Sequence, residues 1–202
     1  MTHAVHHRAQ ENVRSTDAAG RPRGDPARRE SLVAVLGIGC FVVVADQLVK
    51  SLAVGTLTPG LPVPIVEGFV SLTLGLNTGL AFGLLRGLGS GAWWLMLTFS
   101  AGALVVLARL ALTMLPHGGR LLAAAFGLVF GGAVGNLVDR ARVGAVIDFI
   151  DLSWGAYHWP AFNTADAAIC VGVVALMGHF LAGPPPPRVE GGSSGPSKEE
   201  LE

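Results

Sequence analysis

Four apolar runs, each long enough to cross a bilayer, constrain this chain more than any other feature in it. A membrane helix needs roughly 20 predominantly apolar residues. Ser31–Val54, Ala92–Leu115, Leu121–Arg140 and Thr164–Ala182 all approach or exceed that length, and the turn Pro116-His117-Gly118-Gly119 joins the second to the third. Between Ser31 and Gly183 there are six basic and six acidic residues, and the other eight of each sign fall in the two tails. Charged residues make up 14% of the chain and the formal net charge is zero; an average soluble domain carries about 25%. That deficit disfavours a soluble enzyme, and the lack of a basic patch outside the N-terminal tail disfavours a nucleic-acid partner. Cys40 and Cys170 both lie in apolar runs and give no disulfide framework. The expected fold class is an all-α integral membrane protein: four transmembrane helices with a small extracytoplasmic element of β-strand and short helix.

Residues 1–30 are polar, rich in Arg, Gly, Pro and His, and read as a disordered tail; the stretch 184–202, opening on four prolines, reads as another. A signal peptide fits poorly, because the apolar run after the first tail continues to about Leu52 without a small-residue cleavage site. This leaves 31–183 as one membrane domain. Lys and Arg asymmetry orients it: ten basic residues (six in the N-tail, Arg109, Arg120, Arg188 and Lys198) fall on one side, against Lys50, Arg86, Arg140 and Arg142 on the other. Both termini are therefore expected in the cytoplasm. Trp93 and Trp94, with Trp154, Tyr157 and Trp159, make an aromatic belt at the outer interface.

Outside the spans, Val70-Ser71-Leu72-Thr73-Leu74 alternates apolar and polar residues, as a strand does. Its expected partner is the segment Val146–Leu152. Pro59, Gly60, Pro62 and Pro64 mark a turn-rich entry, and Gly79–Leu85 suggests a short interfacial helix. Gly127, Gly131 and Gly135 form a small-residue stripe that lets another helix approach closely and brings Asn136 near a neighbouring span.

An ionisable group at mid-bilayer costs about 2.5–3.5 kcal/mol on insertion scales, so each one needs a partner or a task. The candidates gather at the outer ends of the spans: Asp46 and Lys50, Asn77, Asn136 with Asp139 and Arg140, Asp148, Asn163 and Asp166. Asp46 and Lys50, four apart, can form an ion pair along one helix face. Asn136 and Arg140 share the same spacing; they suit either an interfacial helix end or a site wall that holds carboxylates and substrate carbonyls. Asn163 reads as a helix N-cap with Asp166 three residues inside, a pairing that capping alone would satisfy. Asp148 is harder to explain away, because Val146-Ile147-Asp148-Phe149-Ile150 is otherwise apolar.

Two carboxylates in a dry site share one proton, so that one accepts a proton while the other donates. Such a pair can activate water against an amide, with Asp166 favouring the charged form and Asp148 the protonated one. Other hydrolytic chemistries lack their motifs: the six histidines are scattered and include no His-Glu-x-x-His, so a zinc site is not expected. A proton-coupled transporter would also carry intramembrane carboxylates, but the cytoplasmic halves of these spans are nearly uncharged apart from Arg109. An assembly factor would need no such pair.

Five motifs occur in order: Asp46-Gln47-Leu48-Val49-Lys50, Asn77-Thr78-Gly79-Leu80-Ala81-Phe82, Gly135-Asn136-Leu137-Val138-Asp139-Arg140, Val146-Ile147-Asp148-Phe149 and Phe162-Asn163-Thr164-Ala165-Asp166. Together, over about Leu32 to Leu181, the sequence resembles the bacterial lipoprotein signal peptidases, the type II signal peptidases. The resemblance implies an aspartyl endopeptidase of the inner membrane, needing no metal or other cofactor. Such an enzyme cleaves prolipoproteins just before a diacylglyceryl-modified cysteine. It implies catalytic roles for Asp148 and Asp166, substrate-binding roles for Asn77, Asn136, Arg140 and Asn163, and supporting roles for Asp46, Lys50 and Asp139. The implied partners are prolipoprotein substrates and membrane lipids, with a monomer as the default state.

Overall fold

The structure is a computed structural model and describes residues 26–78 and 90–182. Helix α1 spans Pro26–Thr56. Strands β1 (Val63–Val66) and β2 (Val70–Asn77) follow. A helical stretch from Ser90 to Val143 is broken at Gly119, where φ is 66°. Its apolar parts are α2 (Trp93–Pro116) and α3 (Gly119–Val143). Strands β3 (Val146–Trp154) and β4 (Tyr157–Phe162) lead into α4 (Thr164–Leu181).

The four expected spans are all present, as four helices long and apolar enough to cross a membrane. Two boundaries differ from expectation. Residues 26–30 are helical rather than part of the tail, because Pro26 stands at the first helical position, where its missing N–H costs nothing. The turn at 116–119 narrows to one residue: Gly119 adopts the left-handed φ that a side chain resists, and Pro116 removes an amide one residue-triplet earlier. The suggested helix at Gly79–Leu85 lies outside the described residues, as do 1–25 and 183–202.

Helix α3 is the centre of the bundle. Its glycines set how closely its neighbours approach. A Cβ at Gly127 would stand 2.8 Å from the Ile38 Cβ, and one at Gly131 would stand 2.7 Å from the Gly39 carbonyl. Both contacts are with α1. On another face, Gly132 meets the Ala165 carbonyl of α4. The bundle is therefore two-ended. Around the α2–α3 break, Val35, Ala111, Leu115, Leu122, Ala123 and Phe126 make an apolar core. Some 14 residues further along α3, about 21 Å at 1.5 Å per residue, the interior turns polar. The outward faces stay apolar, with Leu36 at 71%, Phe41 at 72% and Phe99 at 79% exposure. Such faces suit acyl chains, not water.

The strands form one antiparallel sheet in the order β1-β2-β3-β4. The expected pairing of β2 with β3 is present, with Val70 opposite Leu152 and Asn77 opposite Val146. The two edge strands carry no clear strand pattern in the sequence. Each contains a proline, Pro64 in β1 and Pro160 in β4, which weakens the strand pattern but is tolerated at a sheet edge. Gly155 (φ 59°) makes the tight turn from β3 to β4. Between Leu72 and Gly75 the β2–β3 register shifts, and beyond the shift Gly75 pairs with Asp148.

Candidate active site

Three helix ends and one strand pair deliver polar side chains to the same end of the bundle. Lys50, on α1, is 1% exposed and lies at the hub. Its Nζ pairs with the Asp46 carboxylate one turn earlier at 2.8 Å and with Asp139 of α3 at 2.7 Å. It donates a third hydrogen bond to Asn136 Oδ1 at 3.0 Å. All three N–H directions of the ammonium are used, which is what a buried cation requires.

Asp46 also works across the bundle. Its Oδ1 accepts from the Thr164 hydroxyl at 2.7 Å and the Ala165 backbone N–H at 2.9 Å. A carboxylate on α1 thus caps the N-terminus of α4, where the exposed amides and the helix dipole favour negative charge. The helix caps itself as well: Asn163 Oδ1 accepts from the Asp166 N–H at 3.0 Å, and Asp166 Oδ2 accepts from the Asn163 N–H at 3.3 Å. The sequence predicts Asn163 as the N-cap with Asp166 three residues inside; the structure adds the return bond that makes the pair a reciprocal capping box.

The cap leads directly to the acidic pair. With its oxygen committed to the helix, Asn163 turns its amide nitrogen to Asp148 Oδ1 at 2.7 Å and to Asn136 Oδ1 at 3.2 Å. Asn136 accepts from both Lys50 and Asn163, so its own nitrogen faces Asp166 Oδ1 at 2.8 Å. Asn77, at the end of β2, donates to Asp148 Oδ2 at 3.0 Å. Asp148 and Asp166 therefore flank one residue, Asn163, whose side chain holds the first and whose backbone holds the second. Asp148 is 4% exposed. Burial pushes its carboxyl above the ordinary value of 3.8; the amides of Asn77 and Asn163 oppose that rise, the charge of Asp166 adds to it, and Lys50 offsets part.

Of the nine residues singled out in the sequence, eight join this connected network: Asp46, Lys50, Asn77, Asn136, Asp139, Asp148, Asn163 and Asp166. Asp139 holds the Ile147 N–H at 3.2 Å, fixing the start of β3 next to Asp148. Arg140 is half-buried beside the network, with one guanidinium N–H on the Asn136 carbonyl at 3.2 Å. Asn136 and Asn163, grouped in the sequence with substrate contacts, are buried, and their side-chain bonds run to carboxylates, to Lys50, to the Asp166 backbone N–H and to each other. Among the described residues, no buried side-chain nitrogen or oxygen lacks a partner.

Three further residues, none of them a site candidate on sequence grounds, hold the network. Gln47 donates to Asp139 Oδ1 at 2.9 Å and, at 3.3 Å each, to Asp46 Oδ2 and the Gly135 carbonyl. Thr164 holds Asp46, and Trp93 donates its indole N–H to the Arg140 carbonyl at 2.7 Å. Gln47 and Thr164 sit inside the quoted motifs, and a polar side chain in an apolar run was the available signal. Trp93 carried only its interfacial signature.

Fold and site define the class first: a multi-pass membrane protein whose bundle gathers acids and amides at one end. The comparisons with known proteins narrow it. The family described as signal peptidase (SPase) II matches residues 38–182. The lipoprotein signal peptidase of Nitratidesulfovibrio vulgaris is 43% identical over 154 residues, 76% of this chain and 93% of that protein. That of Geobacter metallireducens is 45% identical over 136 residues, covering 66% and 82%. A solved bacterial membrane enzyme, determined in meso at 1.9 Å resolution, superposes with a TM-score of 0.65 at 30% identity, over 73% of this chain and 92% of that one. The chain belongs to the signal peptidase II family, and it is a peptidase.

Proposed function

We propose that the chain removes signal peptides from prolipoproteins as an aspartyl endopeptidase, with Asp148 and Asp166 as its catalytic pair. The observation that carries this reading is the shared Asn163, which binds Asp148 through its side chain and Asp166 through its backbone. Asp148, whose proton affinity burial raises, keeps the shared proton. Asp166 takes a proton from the attacking water as the new C–O bond forms at the scissile carbonyl, and Asp148 protonates or hydrogen-bonds the developing oxyanion. When the C–N bond breaks, the proton on Asp166 passes to the departing amine, and as the carbonyl re-forms the hydroxyl of the tetrahedral intermediate returns its proton to Asp148. The pair is then back at its starting charge, with Asp148 protonated and Asp166 ionised.

The remaining site residues divide by exposure. Asn77 and Arg140, the less buried, hold the peptide backbone. Asn136 and Asn163 line the cleft and aim the two carboxylates, and Asp46, Lys50 and Asp139 support them from below. The substrate is a signal peptide ending at a diacylglyceryl-modified cysteine, entering laterally so that its acyl chains stay among lipid. In this reading the active site lies near the outer face of the bacterial inner membrane. The sheet is extracytoplasmic, both tails (1–30 and 184–202) are cytoplasmic, and residues 31–183 form the membrane domain of a monomer. The test is cleavage in vitro of a lipid-modified and an unmodified precursor. Wild type should cut the first only, and Asp148→Asn and Asp166→Asn should each lose about a hundred- to ten-thousandfold. Full activity in either folded variant would remove that residue from catalysis.

A further inference from the structure

A pocket of about 690 Å³ opens on the side of the sheet away from the acidic pair. Strand geometry places it there. Ile147 and Leu76, which face each other across β3 and β2, line the pocket, while their chain neighbours Asp148 and Asn77 point to the opposite face. Val54 of α1, Leu74 of β2 and Val143 of α3 complete apolar walls. Lys50, Asp139 and Gln47 form the floor. That floor offers a ligand no free donor, because the Lys50 ammonium is shared between Asp46 and Asp139 and the Gln47 amide is bound to both carboxylates.

The rim is different. Arg142 lines the pocket one residue before α3 ends, and it is exposed. Its guanidinium gives one N–H to Gln47 Oε1 at 3.2 Å. Among the described residues both ion pairs belong to Lys50, so no described carboxylate neutralises Arg142. Of the other described basic residues at this end, Lys50 lines the pocket but holds two carboxylates, and Arg140 does not line it. A guanidinium offers five N–H donors in a fork that matches phosphate. It stands where the apolar spans α1 and α3 both end, the level at which lipid headgroups lie.

Apolar walls, a floor with no free donor and, at the rim, one cation that no described carboxylate pairs together complement an amphiphile with an anionic head. We propose that this pocket binds an anionic phospholipid, with its phosphate on Arg142 and its glycerol and first methylenes between α1 and the back of the β2–β3 pair. The bound lipid would brace the sheet face opposite Asp148. The proposal stands apart from the peptidase chemistry, because its primary readout is lipid binding.

The test uses the full-length protein in detergent, with native mass spectrometry of its adducts with phosphatidylglycerol and with phosphatidylcholine of identical acyl chains. Wild type should retain the anionic lipid about fivefold better, the factor that one basic residue contributes near an anionic surface. Arg142→Gln should remove that preference. Val54→Trp, which fills the pocket and keeps the arginine, should lower retention of both lipids. An undiminished preference in Arg142→Gln, or wild-type retention in Val54→Trp, would overturn the assignment. So would an Arg142→Gln variant with unchanged lipid adducts and a raised KM for the lipid-modified precursor, which would give the pocket to the substrate instead.

Discussion

Replacing Lys50 by Met keeps the shape of the side chain and removes its charge. The ammonium is 1% exposed and holds Asp46 and Asp139 at 2.8 and 2.7 Å. Both carboxylates would then face each other across a site closed to solvent. Breaking a buried ion pair by deleting one partner costs about 3–5 kcal/mol, a large part of the ~5–15 kcal/mol that keeps a domain folded. Lys50→Met should therefore fall sharply in folded yield and thermal midpoint in detergent. The distances also specify a rescue. In Lys50→Met/Asp139→Asn the new amide oxygen still accepts from the Ile147 N–H, and Gln47, whose Nε2 now meets an NH2 in place of Oδ1, turns its amide so that its oxygen accepts there. Asp46 keeps its donors from Thr164 and Ala165. No carboxylate in that cluster is left without a donor, so the double variant should recover stability relative to the single one, though not activity, because Asn136 has lost the cation that orients its amide. Size-exclusion profile, thermal unfolding and cleavage rate measured together test this. A Lys50→Met protein as stable as wild type, or a double variant less stable than the single, would refute the reasoning.

Other substitutions follow from the same geometry. A Cβ at Gly135 would stand 2.6 Å from Asp46 Oδ2, a carboxylate end pinned by Lys50 and Gln47. Gly135→Ala should therefore cost about 1–3 kcal/mol, as overpacking does, and Gly102→Ala, with nothing within 4 Å, should not destabilise. Thr164→Val removes the hydroxyl bond to Asp46 and should lower stability by about 1.5–3 kcal/mol, the range for bonds to charged groups; an unshifted melting curve would contradict the cap across helices. Asp148 has a folded-state pKa raised above 3.8, so its contribution favours the folded state at low pH and is lost as pH rises through the raised value. The melting temperature of Asp148→Asn relative to wild type should accordingly fall as pH is lowered toward 3.8, because only the wild-type carboxyl gains from protonation; the new NH2, facing the Asn77 or Asn163 amide, adds a cost that does not depend on pH. A variant that gains on wild type on acidification would reverse the assigned sign.

The parts of this architecture written in local chemistry could be read in the chain. Run length gave the four spans, alternation gave β2, and spacing gave the Asp46–Lys50 pair and the Asn163–Asp166 cap. The glycine stripe correctly anticipated that Asn136 would meet neighbouring helices. What stayed hidden was written in contacts between distant residues. Thr164 and Asp46 are 118 positions apart and Gln47 and Asp139 are 92 apart, and no periodicity reports such a meeting. The edge strands were masked by the very prolines that suit them to an edge. The direction of each amide was also illegible: that Asn136 turns its oxygen to Lys50 and its nitrogen to Asp166 follows only from the assembled set of donors.

In the proposed chemistry Asp148 and Asp166 act as one unit, and a double-mutant cycle on the cleavage rate measures that. Rates of the lipid-modified precursor are compared for Asp148→Asn, Asp166→Asn and the variant carrying both, each shown to be folded by its melting curve. Residues that work as a unit are strongly non-additive, so the double variant should be no slower, within about threefold, than the slower single one. Losses that simply multiply would show two groups acting independently and would contradict the shared site.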